Sequence, residues 1–217
     1  MIEEITSTVK GFLLSRYVEI IVWDFDGTIF RSAEIATQYE DEYFKYSKSK
    51  SKDHRLTLDQ FRSLTNTHGS WARAASVIAK QKPLFIANHV DSRIKKIKFV
   101  RPDDSIVKLI TGLGGQRHFI LSNSRKKDIV VALNKIGFSK VKNNIPPFEK
   151  ILSRDDGINK PNLRAFKKII KITNMPPKKH LMIGDSLRED IYPARNLGFF
   201  TMHINEALQI LPKWVRK

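Results

Sequence analysis

The chain contains no cysteine. Disulfides, thiolate metal sites and cysteine nucleophiles are thereby excluded, and any bound metal must be held by oxygen or imidazole. No apolar run is long enough to cross a bilayer as a helix. The first residues, MIEEITSTVKGFLLSRY, carry acids where a signal peptide needs positive charge, and their apolar stretch is very short. The expectation is a cytoplasmic protein with no membrane partner. Internal repeats and recognisable nucleic-acid modules are also lacking. Acids are scarce: 22 Asp and Glu against 39 Lys and Arg leave a formal net charge of +17. Such a surface attracts phosphates and nucleic acid through long-range, salt-screened fields. The bases are nevertheless scattered from Lys10 to Lys217, as in any lysine-rich background, so nucleic acid ranks behind a small ligand as the expected partner.

What is present is apolar material, 41% of 217 residues, enough for one good-sized core or for a core with a small satellite. YVEIIVWDF and RHFIL read as short buried strands, and KDIVVALNKIG has helical spacing with a glycine stop. Further on, FEKIL and HLMIG read as strands, NLRAFKKIIKIT as a helix with its apolar residues on one face, and EDIYPARNLG as a helix with Pro193 near its first turn. This alternation predicts an α/β fold, a parallel sheet covered by helices. Residues 33–98 differ: AEIATQYEDEYFKYS, LTLDQFRSLTNT and WARAASVIAK are polar helical segments without a convincing strand. They predict an inserted helical domain, with 1–32 and 99–217 forming the core. The serine and lysine alternation of SKSKSKDH, residues 47–54, predicts a solvated connector. His68 and Trp71, in THGSWARAA, suit either a substrate-facing loop or a buried tryptophan with a satisfied histidine. RIKKIKFVR suits a phosphate-attracting rim or an exposed strand or helix edge, and the edge is the expectation.

In a parallel α/β sheet, ligands bind beyond the carboxyl ends of the strands. Three polar clusters fall at such ends: Asp24 and Asp26 in IIVWDFDGT, Ser122 and Asn123 in LSNS, and GDSLRED at 184–190. Strand periodicity puts Asp24 and Asp26 on one side and Phe25 on the other. Carboxylates held so close repel unless one is protonated or a cation lies between them. With oxygen ligands only, a hard divalent cation such as Mg²⁺ fits the residue types.

Four segments in order, DFDGT, Ser122 in ILSNS, Lys160 in GINKP and IGDSLRED, resemble the motifs of the haloacid dehalogenase-like hydrolases, and among them the Mg²⁺-dependent phosphatases. The resemblance spans nearly the whole chain. It implies a Rossmann-like parallel sheet core with a small α-helical cap inserted at 33–98. It further implies that Asp24 is the nucleophile that becomes a transient aspartyl-phosphate. Asp26 would be the acid and base, touching Mg²⁺ through its main-chain carbonyl. Ser122 and the Asn123 region would donate to phosphoryl oxygens, and Lys160 would offset the negative charge. Asp185 would ligate Mg²⁺, with Asp190 or Glu189 as the further acid; counting back from ARNLG favours Asp190. Ser122 and Asn123 are also residue types that cap helices, a role compatible with phosphate binding.

The acid at position 26 argues for phosphoryl chemistry, since true dehalogenases lack it. The expected activity is therefore a phosphomonoesterase acting on a small phosphorylated metabolite such as a nucleotide, phosphosugar or phosphoglycolate. A phosphomutase shares the same motifs, and a phosphonatase would need a lid lysine. A nucleic-acid-binding protein or polynucleotide-end phosphatase on this scaffold is the reading from another class.

Overall fold

In a computed structural model of the protein the described residues are 16–52, 55–138 and 147–214. The signal-peptide reading falls largely on residues 1–15, outside them. Among the described residues no helix is long and apolar enough to cross a membrane. The chain divides into two compact units, Met1–Arg31 with Val100–Lys217, and Ser32–Phe99.

The first unit is built on a five-stranded parallel sheet: β1 (Ile20–Trp23), β2 (Arg117–Leu121), β3 (Phe148–Leu152), β4 (His180–Gly184) and β5 (Phe200–His203), in the order β3-β2-β1-β4-β5. The fold is α/β, with a Rossmann-like core. β1 is central, and all four of its residues are buried, which is why the sequence reads as a continuous apolar run and not as an alternation. Helix Leu163–Thr173 shows the complementary pattern. Ala165, Phe166 and Ile169 are buried with Ile20, Val22, Phe119, Met182 and Phe199, while Arg164, Lys167, Lys168 and Lys171 are exposed. Asn162 starts this helix by accepting from Arg164 N–H, and Asn174 ends it in the left-handed region.

β5 and the helix after it, Ile204–Ile210, carry no signal strong enough to be expected from sequence. β5 is an edge strand of four residues, too short for periodicity to declare itself. The expected helix EDIYPARNLG is divided in the structure. A wide turn with i→i−5 hydrogen bonding occupies Leu187–Ile191, and an α-helix follows at Tyr192–Asn196.

The second unit contains helices Ala33–Lys50, Leu58–His68, Trp71–Ala79 and Pro83–Arg93. Three begin with side-chain caps, from Ser32, Thr57 and Ser70, and Thr57 with Gln60 forms a reciprocal capping box. The first helix runs through Lys50, so the connector reading of SKSKSKDH fails for residues 47–50. Ser47 is buried and its hydroxyl donates to the Tyr43 carbonyl at 2.8 Å, which removes its competition with the helix. Asp53 and His54 lie outside the described residues. His68 ends the second helix, and Trp71 is half-buried against Tyr39 and Tyr43. RIKKIKFVR leaves the end of the Pro83–Arg93 helix and turns through Lys96–Lys98, with Arg93, Lys95, Ile97, Lys98 and Arg101 exposed.

Under the sheet, the Trp23 indole N–H donates to His118 Nδ1 at 3.0 Å, and His118 Nε2 lies 3.0 Å from the Leu113 carbonyl. This pairing requires the neutral ring with its hydrogen on Nε2. Burial holds the His118 pKa below the ordinary 6.5, and His180, also buried, is shifted the same way. An unfolded chain takes up those protons near pH 6.5 and the folded one does not. The contribution of these rings is therefore full above pH 6.5 and is lost as pH falls toward the lower folded value. We expect the urea midpoint to drop between pH 7 and pH 5. His118→Gln, whose amide can face both partners without titrating, should show a smaller drop; an equal one would contradict the assignment.

Candidate active site

The carboxyl ends of β1, β2 and β4 bring the expected residues together. Asp24 follows β1 directly, its N–H donating to the Ile183 carbonyl at 2.8 Å. The chain then makes a tight turn over Phe25–Phe30, closed by Gly27 N–H to Phe30 O at 2.7 Å and Phe30 N–H to Phe25 O at 2.9 Å. Phe25 is buried in the core, and Asp26 is turned to accept from the Ser124 hydroxyl. Ser122 is buried at the end of β2, its oxygen accepting from Ser124 N–H at 3.1 Å.

Lys160 is the hinge of the cluster. Only 2% exposed, it donates from Nζ to Asp24 Oδ1 at 2.6 Å and also to Asp190 Oδ1. Asp24 Oδ2 accepts from the Thr28 hydroxyl at 3.3 Å, and Asp190 Oδ2 from Ser186 N–H at 3.1 Å. Asp24, Asp185 and Asp190 each offer a carboxylate oxygen within 4.8 Å of the others. The side chain of Asp26 is not in this trio and accepts from Ser124 instead.

Two glycines make room for these acids. A Cβ on Gly184 would lie 2.4 Å from Asp190 Oδ2. One on Gly27, whose φ is +80°, would lie 2.1 Å from Asp185 Oδ2. The wide Leu187–Ile191 turn completes the arrangement. It places Asp190 inward, beside the Ser186 N–H, and leaves Glu189 to accept from Asn123 Nδ2 at 3.1 Å. The structure thus puts Asp190, not Glu189, among the carboxylates.

The electrostatics follow from burial. Burial pushes Asp24 up to about 7 against the pull of Lys160, with Asp190 adding to the rise. Asp185 is exposed as a residue, but its carboxyl packs against Gly27. Desolvation there, then the charge of Asp24, raise it to about 6. Asp190 is raised by burial, against the pull of Lys160. Burial opposes the charge on Lys160 too, but Asp190 and Asp24 outweigh it and leave its pKa above the ordinary lysine value. Three acids and one ammonium leave surplus negative charge, and the donors are all oxygens, so the residues fit a hard divalent cation.

The side chain of Asn123 is bound to the main chain of Lys160 and to Glu189. Thr28 and Ser124 join the site without having been singled out. Both stand inside the recognised motifs, in DFDGT and SNS, where their proximity to the acids is the available signal.

The model of the haloacid dehalogenase-like hydrolases matches residues 21–204. A glyceraldehyde 3-phosphate phosphatase of Pyrococcus furiosus is 41% identical over 56 residues, covering 25% of this chain and 23% of that protein. The protein of the same name from Methanothermobacter thermautotrophicus is 26% identical over 137 residues, 61% of this chain and 58% of its own. The chain therefore matches less than two thirds of the length of these relatives. The Mg²⁺-bound HAD-hydrolase YfnB of Bacillus subtilis shares the fold, with a TM-score of 0.55, 19% identity and coverage of 85% of each chain. With the motifs, the parallel sheet and a family match over most of its length, the chain belongs to the haloacid dehalogenase-like hydrolases.

Proposed function

We propose that this protein is a Mg²⁺-dependent phosphomonoesterase acting on a small phosphorylated metabolite through an aspartyl-phosphate on Asp24. The observation that carries the reading is the convergence of Asp24, Lys160, Asp185 and Asp190 at the strand ends, with Asp26 one turn away. The names of the phosphatase relatives support it, and their common substrate name, a triose phosphate, favours small sugar-phosphate esters within the class.

In the first step the Asp24 carboxylate attacks phosphorus and the ester P–O bond breaks, while Asp26 gives its proton to the departing oxygen. In the second step Asp26 takes a proton from water, whose oxygen attacks the same phosphorus. Inorganic phosphate leaves and the Asp24 carboxylate is restored. Ser122 Oγ–H and the Asn123 main-chain N–H donate to phosphoryl oxygens, and the Lys160 ammonium offsets the charge that substrate adds to the acids. Asp24, Asp185, Asp190 and the Asp26 carbonyl would hold Mg²⁺, which when bound would supply charge neutralisation and in-line alignment. Ser124, bonded to Asp26, keeps that carboxyl turned toward its task. We assign substrate selection to the helical unit, residues 32–99, as the cap of the enzyme.

Three outcomes follow from these roles. Phosphate release from small monoesters, screened across sugar phosphates, nucleoside monophosphates and phosphoglycolate, should require Mg²⁺ and fall to the detection limit in Asp24→Asn. Turnover unchanged by chelation would refute the mechanism. Asp26→Asn should slow an alkyl phosphate by about 10²- to 10⁴-fold, the usual contribution of a positioned general acid. It should still give a phenolate burst with p-nitrophenyl phosphate, whose leaving group needs no proton; equal losses on both esters would show that Asp26 does not act as the acid. Replacing residues 33–98 by a short linker should spare p-nitrophenyl phosphate hydrolysis while flattening discrimination among metabolites. Loss of all activity in a folded variant would count against the division of labour.

A further inference from the structure

Both ends of the Asn123 amide meet the main chain of one residue. Its Oδ1 accepts from Lys160 N–H at 2.8 Å, and its Nδ2 donates to the Lys160 carbonyl at 3.2 Å. A side-chain amide pairing with both the N–H and the C=O of a single residue brackets that residue's main chain as a neighbouring strand would. Nδ2 also donates to Glu189 Oε2 at 3.1 Å. Glu189 adjoins Asp190, so the three residues tie together the end of β2, the Lys160 loop and the turn after β4.

An amide can be turned over with little change of shape, and only its partners choose between the two orientations. Reversed, Asn123 would set donor against donor at Lys160 N–H and acceptor against acceptor at the Lys160 carbonyl. It would also set its oxygen against the Glu189 carboxylate, which only accepts. Glu189 therefore adds its charge to the selection of the orientation that fits Lys160. The lysine needs such fixing. Its ammonium sits at the end of a flexible four-carbon stem and must meet Asp24 and Asp190 together.

We infer that Asn123 and Glu189 are positioning residues: Asn123 fixes the main chain of Lys160, and Glu189 fixes the amide of Asn123. This gives Glu189 a function other than cation ligand. For its effect on turnover the inference rests on the phosphomonoesterase reading.

The test compares Glu189→Ala, Glu189→Gln, Asn123→Asp and the double variant Asn123→Asp/Glu189→Gln in the intact protein. It reads kcat, KM and Mg²⁺ requirement with p-nitrophenyl phosphate. Independently, it reads hydrogen exchange of the Lys160 amide by NMR in metal-free protein, with the Phe119 and Met182 amides as folding controls. Glu189→Ala should lower kcat by about 10- to 100-fold, the usual loss when a supporting partner is removed, with KM and Mg²⁺ requirement nearly unchanged. Glu189→Gln should keep most of kcat, since its carbonyl accepts from the same Nδ2. Asn123→Asp should be severely impaired, because it sets a carboxylate against Glu189, and the double variant should regain part of the loss, as the glutamine amide can donate. Lys160 exchange should accelerate in Glu189→Ala and Asn123→Asp while the core amides stay protected. Wild-type kcat and wild-type Lys160 exchange in Glu189→Ala would overturn the inference. So would a Glu189→Gln variant as damaged as Glu189→Ala with a raised Mg²⁺ requirement, which would make Glu189 a cation ligand. A wild-type protein inactive on every ester would refute the phosphomonoesterase reading alone, and the exchange of the Lys160 amide would still decide the positioning.

Discussion

Like charges crowd the end of this sheet. Asp24, Asp185 and Asp190 bring carboxylate oxygens within 4.8 Å of one another, and two of these residues are almost fully buried. At that range each like-charged pair repels by roughly 3–4 kcal/mol at an effective dielectric of about 20. A whole domain is typically stable by only about 5–15 kcal/mol, so such a cluster persists only with compensation. Lys160 supplies one positive charge, shared between Asp24 and Asp190, and the raised pKa values of Asp24 and Asp185 show what is left over. The three acids therefore carry more negative charge than Lys160 alone offsets.

The surrounding structure is arranged to hold this unfavourable group in place. The parallel sheet delivers Asp24 and Asp185 directly from the ends of the fully buried strands β1 and β4, so these two carboxylates stand on rigid backbone. Gly27 and Gly184 admit backbone where any side chain would collide with Asp185 or Asp190. The wide turn at Leu187–Ile191 rotates Asp190 inward and Glu189 toward Asn123 within two consecutive residues. Neutral donors, from Thr28, Ser124 and the Ser186 N–H, take up carboxylate oxygens that the ammonium does not reach.

Much of this was legible in the sequence because the relevant signals are local. β2, β3 and β4 are bounded by polar or turn residues and read directly as RHFIL, FEKIL and HLMIG, and the site acids Asp24 and Asp185 are written directly after β1 and β4. β5 escaped because four residues at a sheet edge give no period, and the wide turn because its hydrogen bonding depends on Asp190 reaching back to Ser186. The helical continuation through Ser47 and Lys48 was hidden by composition: alternating serine and lysine suggests solvent, yet the Ser47 hydroxyl satisfies itself on the preceding turn. The bracket of Asn123 on Lys160 joins residues 37 apart, and no local pattern announces such a pairing.

The central claim is that the buried, cation-dependent carboxylate of Asp24 takes the phosphoryl group. Acid quenching of Asp26→Asn protein turning over p-nitrophenyl phosphate with Mg²⁺, followed by peptide mass spectrometry, addresses it directly. The account predicts the mass of one phosphoryl group on the peptide containing Asp24, absent when Mg²⁺ is chelated and absent when Asp24 is also replaced by Asn. A phenolate burst with no label on that peptide, or a label that persists without Asp24, would contradict it.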